Sequence, residues 1–204
     1  AGSEKIAARL DAELTAGAPG ADLLMTSDPT YYERLKARAV FHPYVSVRAL
    51  KLDRRLVDRD GAFVACRLSV MGLVHGALAG PAPQSFTDLF EARFSGRVTL
   101  PDPLGSGTML SSLLVWEQLG LTDIASALRR SRATSSGGGT AVLDRIVRGE
   151  ALVGVALFEN VALAKKATLN TATNNLRFVV PKEGAVVVPG QLAILSKTAH
   201  LTAA

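Results

Sequence analysis

Two hydrophobic rhythms alternate along this chain. Ile6, Leu10 and Leu14 recur at four-residue spacing after Ser3, with Gly17 as a stop. That pattern predicts an amphipathic helix with Ser3 as its cap. Residues 23–26 form a short apolar run that reads as a buried strand. Ser27-Asp28-Pro29 then opens a second helix through Tyr31, Tyr32 and Leu35, with Pro29 in its first turn. Residues 42–60 are charged and aperiodic, hence loop-like. Residues 63–74 read as extended and mostly buried. Gly80-Pro81-Ala82-Pro83 is a break, and Ser85 caps a short helix over 85–90.

The second half keeps the alternation. Residues 97–100 predict a strand, followed by a helix starting near Met109 and ending at Gly120. A further helix starts at Thr122 and ends with Arg129-Arg130, cations where a helix C-terminus favours them. Residues 133–140 read as a Gly/Ser/Thr loop feeding a helix through Val142, Leu143, Ile146 and Val147. Residues 152–158 predict a buried strand, then a helix through Lys166. Three strands end the chain, over 176–180, 185–188 and 192–195. Strands alternating with helices predict an α/β fold with a largely parallel sheet.

The chain has 204 residues, 48% hydrophobic and 20% charged, ample for a packed core. No apolar run reaches the roughly 18 residues of a membrane span. Residues 1–20 lack a basic start followed by an apolar block, so no leader is visible. Cys66 is the only cysteine and excludes an internal disulfide. Its apolar neighbours predict a buried structural thiol. The net charge of +5 is spread over scattered pairs such as Arg54-Arg55 and Lys165-Lys166. These are not interleaved with aromatics and read as solvated helix faces, so no nucleic-acid partner is expected.

The candidate chemistry lies where strands hand over to helices. In Gly105-Ser106-Gly107-Thr108, glycines permit a sharp turn and close ligand approach, and a hydroxyl can cap the helix. A helix N-terminus adds unpaired N–H groups and partial positive charge, a seat for a phosphate or carboxylate. The bland alternative is an ordinary capped turn. Ser135, Ser136 and Gly137 form a second such loop, for which a flexible linker is the alternative. Ser27 sits at a strand end, where open α/β sheets bind ligands. Arg67 lies inside an apolar run, so it either snorkels to solvent or faces an anion. Glu159 ends a strand and could act as a base, but nothing supplies a nucleophile. Hydrolase, zinc-protease, P-loop and dinucleotide motifs are all missing. His42, His75 and His200 are far apart in sequence. No catalytic set, metal site or cofactor is expected.

These pieces, taken in order, form a recognisable series: AGSEKIAARLDAEL, ADLLMTSDPTYYERLKARAVFHPY, SFTDLFEARFSGRVTLPDPLGSGT, TSSGGGTAVLDRIVRGEALVGVALFEN and VVPKEGAVVVPGQLAILSKTAH. The chain resembles the type II periplasmic solute-binding proteins of ABC importers, in the branch of ferric-ion, phosphonate and sugar-phosphate binders. The resemblance implies two α/β lobes with ligand in the cleft between them. Lobe 1 would comprise residues 1–77 and 176–204, and lobe 2 residues 78–175. Ligand contacts would fall at Ser27, Arg67, Ser106, Gly107, Thr108, Ser135, Ser136, Gly137 and Glu159. The partners implied are a small anionic ligand and the membrane subunits of an ABC importer. The location implied is periplasmic, or extracellular and membrane-tethered.

The chain departs from the family pattern in two ways. Family members usually begin with a strand, helix and strand before the AGSEKI-like helix and add helices after the TAH-like segment. Lobe 1 would therefore be incomplete, which predicts self-association through it or a rearranged sheet. Ferric binders of this group carry adjacent tyrosines after the strand matching 152–158, where this chain has Phe158-Glu159-Asn160. A phosphorylated sugar or organophosphonate is thus expected ahead of ferric ion. A shortened sensor or interaction domain, and an enzyme using Glu159 as base, are the other readings.

Overall fold

The computed structural model describes residues 2–121, 123–167, 171–198 and 200–201, with 171–172 as backbone only. The helix start expected at Thr122 lies outside these residues. The chain forms two compact units, one of Ala1–Leu68 with Pro189–Ala204, the other of Ser69–Val188. The divisions fall elsewhere than at 77/78 and 175/176. Two long strands, β3 (Val64–His75) and β8 (Val186–Leu195), each run from one unit into the other. The end of β3 and the short strand β7 (Arg177–Val179) pair within the second unit, Leu73 opposite Val179.

In the first unit, α1 spans Ser3–Thr15, with Gly2 rather than Ser3 at the cap. Strand β1 (Leu23–Thr26) pairs antiparallel with β8, Leu23 opposite Ile194 and Thr26 opposite Gln191. Helix α2 (Pro29–Ala37) starts because Asp28 accepts the N–H of Tyr31 at 3.1 Å and Pro29 occupies the first turn. A two-residue strand β2 (Phe41–His42) also pairs with β8. Alternation along β1 buries Leu24 and Thr26 and leaves Leu23 and Met25 exposed. The buried side packs on Leu10, Tyr32, Leu35, Phe41, Phe63 and Leu195. Each such side chain contributes roughly 1.5–3 kcal/mol of burial. The Tyr32 hydroxyl, fully buried, lies 2.8 Å from the carbonyl oxygen of Leu24 and 2.6 Å from that of Gln191. It also accepts the N–H of Thr26 at 3.1 Å.

In the second unit, β4 (Val98–Pro101) lies between β5 (Thr134–Ser136) and β6 (Val153–Leu157), parallel to both. Helices α3 (Gly107–Gln118), α4 (Ile124–Arg130), α5 (Gly139–Val147) and α6 (Phe158–Ala167) belong to the same unit, with a short helix over Thr171–Asn174. A capping box on Ser85 and Asp88 starts the short 3₁₀ helix Phe86–Phe90. This delivers Phe86 onto Trp116, ring centroids 4.5 Å apart. Gly154 is required for the sheet to close. A Cβ there would stand 2.4 Å from the carbonyl oxygen of Thr99 and 3.0 Å from Val142.

Four expectations are corrected. The sheet is mixed: the β4 pairings are parallel, while β1 and β2 on β8, and β6 and β7 on β3, are antiparallel. The two strands expected over 185–188 and 192–195 are one strand, Val186–Leu195, in which Pro189 stands where β8 passes from one unit into the other. Thr134–Ser136 is strand, so the loop shrinks to the glycines that follow. Cys66 is exposed, because β3 is open at Cys66, Arg67 and Leu68.

Candidate ligand-binding site

Seven of the nine sequence-derived positions gather in the second unit. The C-terminal ends of three adjacent parallel strands, β5, β4 and β6, each lead into a helix. Ligands of open α/β sheets bind outside such ends. After β4, Asp102 opens the turn, its carboxylate accepting the N–H of Leu104 at 3.0 Å. Ser106 is the cap of α3 and accepts the N–H of Met109 at 3.3 Å. Its hydroxyl also lies 3.0 Å from that of Thr108. Gly107 is the first helical residue and is buried.

The loop after β5 lies alongside. The N–H of Asp102 donates to the carbonyl of Ser136 at 2.6 Å, and Gly105 sits against the carbonyl of Gly137. Strand alternation points the two serines apart. Ser135 is exposed, whereas Ser136 is buried with its hydroxyl 2.8 Å from that of Thr99. Ser136 is thereby corrected from an outward donor to a core hydroxyl. Gly137 is exposed with open space where a Cβ would be. Helix α5 begins at Gly139 with no side chain on its cap, and its first intrahelical bond is from Val142 to Gly138. The N–H groups of Gly139, Thr140 and Ala141 precede that bond. They form the less occupied of the two helix ends.

The third junction has no loop, since α6 starts at Phe158 directly after β6. It puts Glu159 in the first turn of α6, half-buried, with no polar partner among the described residues. Asn160 was missed. Its side-chain oxygen fills the space a Cβ on Gly139 would need, 2.6 Å from that position, and joins the third junction to the start of α5. Its place beside Glu159 at a strand end was the available signal.

Ser27 and Arg67 meet in the first unit. Ser27 is buried at the end of β1, and the Arg67 guanidinium donates to its hydroxyl at 3.1 Å. Strand β8 lies between β1 and β3, and Gly190 stands under the arginine. A Cβ on Gly190 would come within 2.4 Å of the Arg67 Cγ and 2.5 Å of its Nε. Arg67 is exposed and forms no ion pair among the described residues. Of the two sequence alternatives, it snorkels in part while its head is held by Ser27.

The tyrosine pair Tyr31-Tyr32 is structural. Burial, the main cause, and the nearby Asp11 raise the Tyr31 phenol to about 12. Burial raises that of Tyr32 further. Neither phenol is poised to ionise and ligate a cation. Among the described residues, no group of three His, Cys, Asp or Glu could hold a metal ion. His200 pairs with Asp22 at 3.3 Å, and His75 faces the Gly76 carbonyl at 3.0 Å.

Comparison with known proteins agrees with this architecture. Iron-bound HitA from Pseudomonas aeruginosa superposes with a TM-score of 0.80 at 18% identity, over 98% of this chain and 66% of that one. AfuA from Actinobacillus pleuropneumoniae, a periplasmic binding protein with fructose-6-phosphate bound, gives 0.82 at 22%, over 98% and 65%. A substrate-binding protein of an ABC transporter from Agrobacterium tumefaciens gives 0.83 at 18%, over 97% and 60%. The chain thus spans about two thirds or less of the length of these structures. They share its fold, the α/β fold of periplasmic binding proteins. No curated protein sequence matches. The model of the family described as bacterial extracellular solute-binding protein matches residues 18–204, and the chain belongs to that family.

Proposed function

We propose that this chain is the solute-capturing, non-catalytic component of an ABC importer, acting in the periplasm or tethered outside the cell. Its ligand is a small anion with a polar body, a phosphorylated sugar or an organophosphonate. The observation that carries the reading is the convergence of the α3 and α5 N-termini at neighbouring strand ends, with Ser106, Thr108 and Ser135 beside them. N–H groups and hydroxyls are donors, and a site rich in donors favours an anion. The fructose-6-phosphate held by AfuA is of this class. Gly107 and Gly137 offer backbone N–H groups, and Glu159 suits a sugar hydroxyl or an amino group. Ser27 and Arg67 are proposed as further contacts, the guanidinium supplying a charge-assisted hydrogen bond.

The test is calorimetric titration of ligand-stripped protein against fructose-6-phosphate, other phosphate esters, alkyl phosphonates and ferric citrate. One-to-one binding of a phosphate ester or phosphonate is expected. Tight ferric binding without any oxyanion response would replace this reading with the iron-binding one, which the likeness to HitA keeps in view. Turnover of a phosphate ester that disappears in Glu159→Gln would establish an enzyme. Absence of all binding would favour a sensor or interaction domain.

A further inference from the structure

The excursion between β2 and β3, residues 43–63, belongs wholly to the first unit. Its base is fixed by Asp58, whose carboxylate accepts the N–H of Asp60 at 3.1 Å and of Ala62 at 3.0 Å. Lys36 closes it, 2.6 Å from Asp58 and 2.7 Å from Asp60. A 3₁₀ turn over Ala49–Lys51 buries Ala49 and throws its neighbours outward. Tyr44, Val47 and Leu50 are 62%, 76% and 74% exposed. Arg48, Lys51 and Arg54 stand among them, all exposed and without an ion pair among the described residues. The acids of the excursion are engaged elsewhere, Asp53 with Arg55 at 2.7 Å and Asp58 and Asp60 with Lys36. A single exposed leucine means nothing. Three large apolar tips within seven residues, with Arg48, Lys51 and Arg54 interspersed or following in sequence, give this segment a chemistry of its own.

We propose that this excursion docks on an anionic phospholipid bilayer. The charge complementarity is with phosphate headgroups, and the apolar tips supply what a charged surface alone does not use. On a bilayer the tips enter the boundary between headgroups and acyl chains while the cations stay at the phosphate level. Each Lys or Arg near an anionic leaflet raises partitioning about fivefold. Three cations with short apolar anchors thus give reversible, salt-sensitive attachment that is independent of bound solute.

The experiment is flotation of the purified chain with vesicles of phosphatidylcholine alone, or with about 30% phosphatidylglycerol, at low salt and at about 0.5 M NaCl. Binding is expected only to the anionic vesicles, and it should collapse at high salt. Arg48→Gln with Arg54→Gln should lower partitioning about 25-fold. Val47→Ser with Leu50→Ser should lower it as well, and circular dichroism should show both variants folded. No binding to anionic vesicles at low salt would overturn the proposal. So would equal binding by wild type and both variants, or equal binding to neutral vesicles. Charge-dependent binding to poly-glutamate that survives the Val47→Ser, Leu50→Ser change, without vesicle binding, would replace the bilayer with an acidic protein surface.

Discussion

Arg67 reaches Ser27 by lying flat across Gly190. The arginine is on β3 and the serine at the end of β1, with β8 between them. A Cβ on Gly190 would collide with the arginine stem at 2.4 Å. Gly190→Ala should therefore displace the arginine side chain from its root and free Ser27. Its effect on solute affinity should match that of Arg67→Ala. Losing one charge-assisted hydrogen bond typically costs roughly 1.5–3 kcal/mol, so both should weaken binding about tenfold or more. Titration with fructose-6-phosphate checks it. Full affinity in Gly190→Ala with weakened affinity in Arg67→Ala would show that the crossing is not needed.

Ser135 and Ser136 should separate binding from stability. The Ser136 hydroxyl is buried against that of Thr99 at 2.8 Å, and its loss leaves Thr99 unpartnered. Ser136→Ala should cost about 1 kcal/mol of stability with solute affinity nearly intact. Ser135→Ala should leave the melting temperature unchanged and reduce affinity. Denaturant unfolding and calorimetry on the two variants decide it, and the opposite pattern would return Ser136 to the site.

The phenols give the pH dependence. Folding raises Tyr31 to about 12 from an ordinary value of 10.0, and Tyr32 is raised as well, burial being the first cause for both. The folded chain therefore holds phenolic protons that the unfolded chain releases. Their contribution to stability is fully present below pH about 10 and is lost as pH rises from there through the folded values. Tyr32→Phe should lower stability at neutral pH, because it removes the hydroxyl that serves Thr26, Leu24 and Gln191. It should also flatten the alkaline decline. Urea midpoints measured between neutral pH and pH about 11 test both effects; parallel curves for wild type and variant would refute the assignment.

The parts of the site legible in sequence obey local rules. Ser106 could be read as a cap because the bond from Met109 spans three residues. Asp28 and Pro29 mark their helix for the same reason. What escaped depends on neighbours in space. Gly190 fell between the strands expected over 185–188 and 192–195, and only the placement of β8 between β1 and β3 reveals its role under Arg67. The inward face of Ser136 depends on the phase of β5, which a run of Ser and Gly does not encode. Cys66 looked buried because its neighbours are apolar, but burial depends on what covers a strand, and β3 is open there. Asn160 offered only its place beside Glu159 at a strand end, and its contact with Gly139 exists in space alone.

Self-association should run through β1. That strand pairs with β8 on one side, and no strand lies on its other side among the described residues. Its outward residues Leu23 and Met25 are 41% and 49% exposed. Ile194 and Leu192, their register partners on β8, lie on the same face of the sheet. An open edge beside an uncovered apolar face is a template for another strand. Two copies of β1 can meet antiparallel about a two-fold axis, each offering the same backbone groups and apolar residues to its mate. A four-residue edge makes few hydrogen bonds, so the dimer should be weak and concentration-dependent. Light scattering across a dilution series should show mass rising from that of one chain towards two. Met25→Lys puts a solvated charge on the edge, which such strands use to resist pairing, and should restore the monomer without altering the melting temperature. A strict monomer at every concentration, or a dimer indifferent to Met25→Lys, would show that β1 is not the contact.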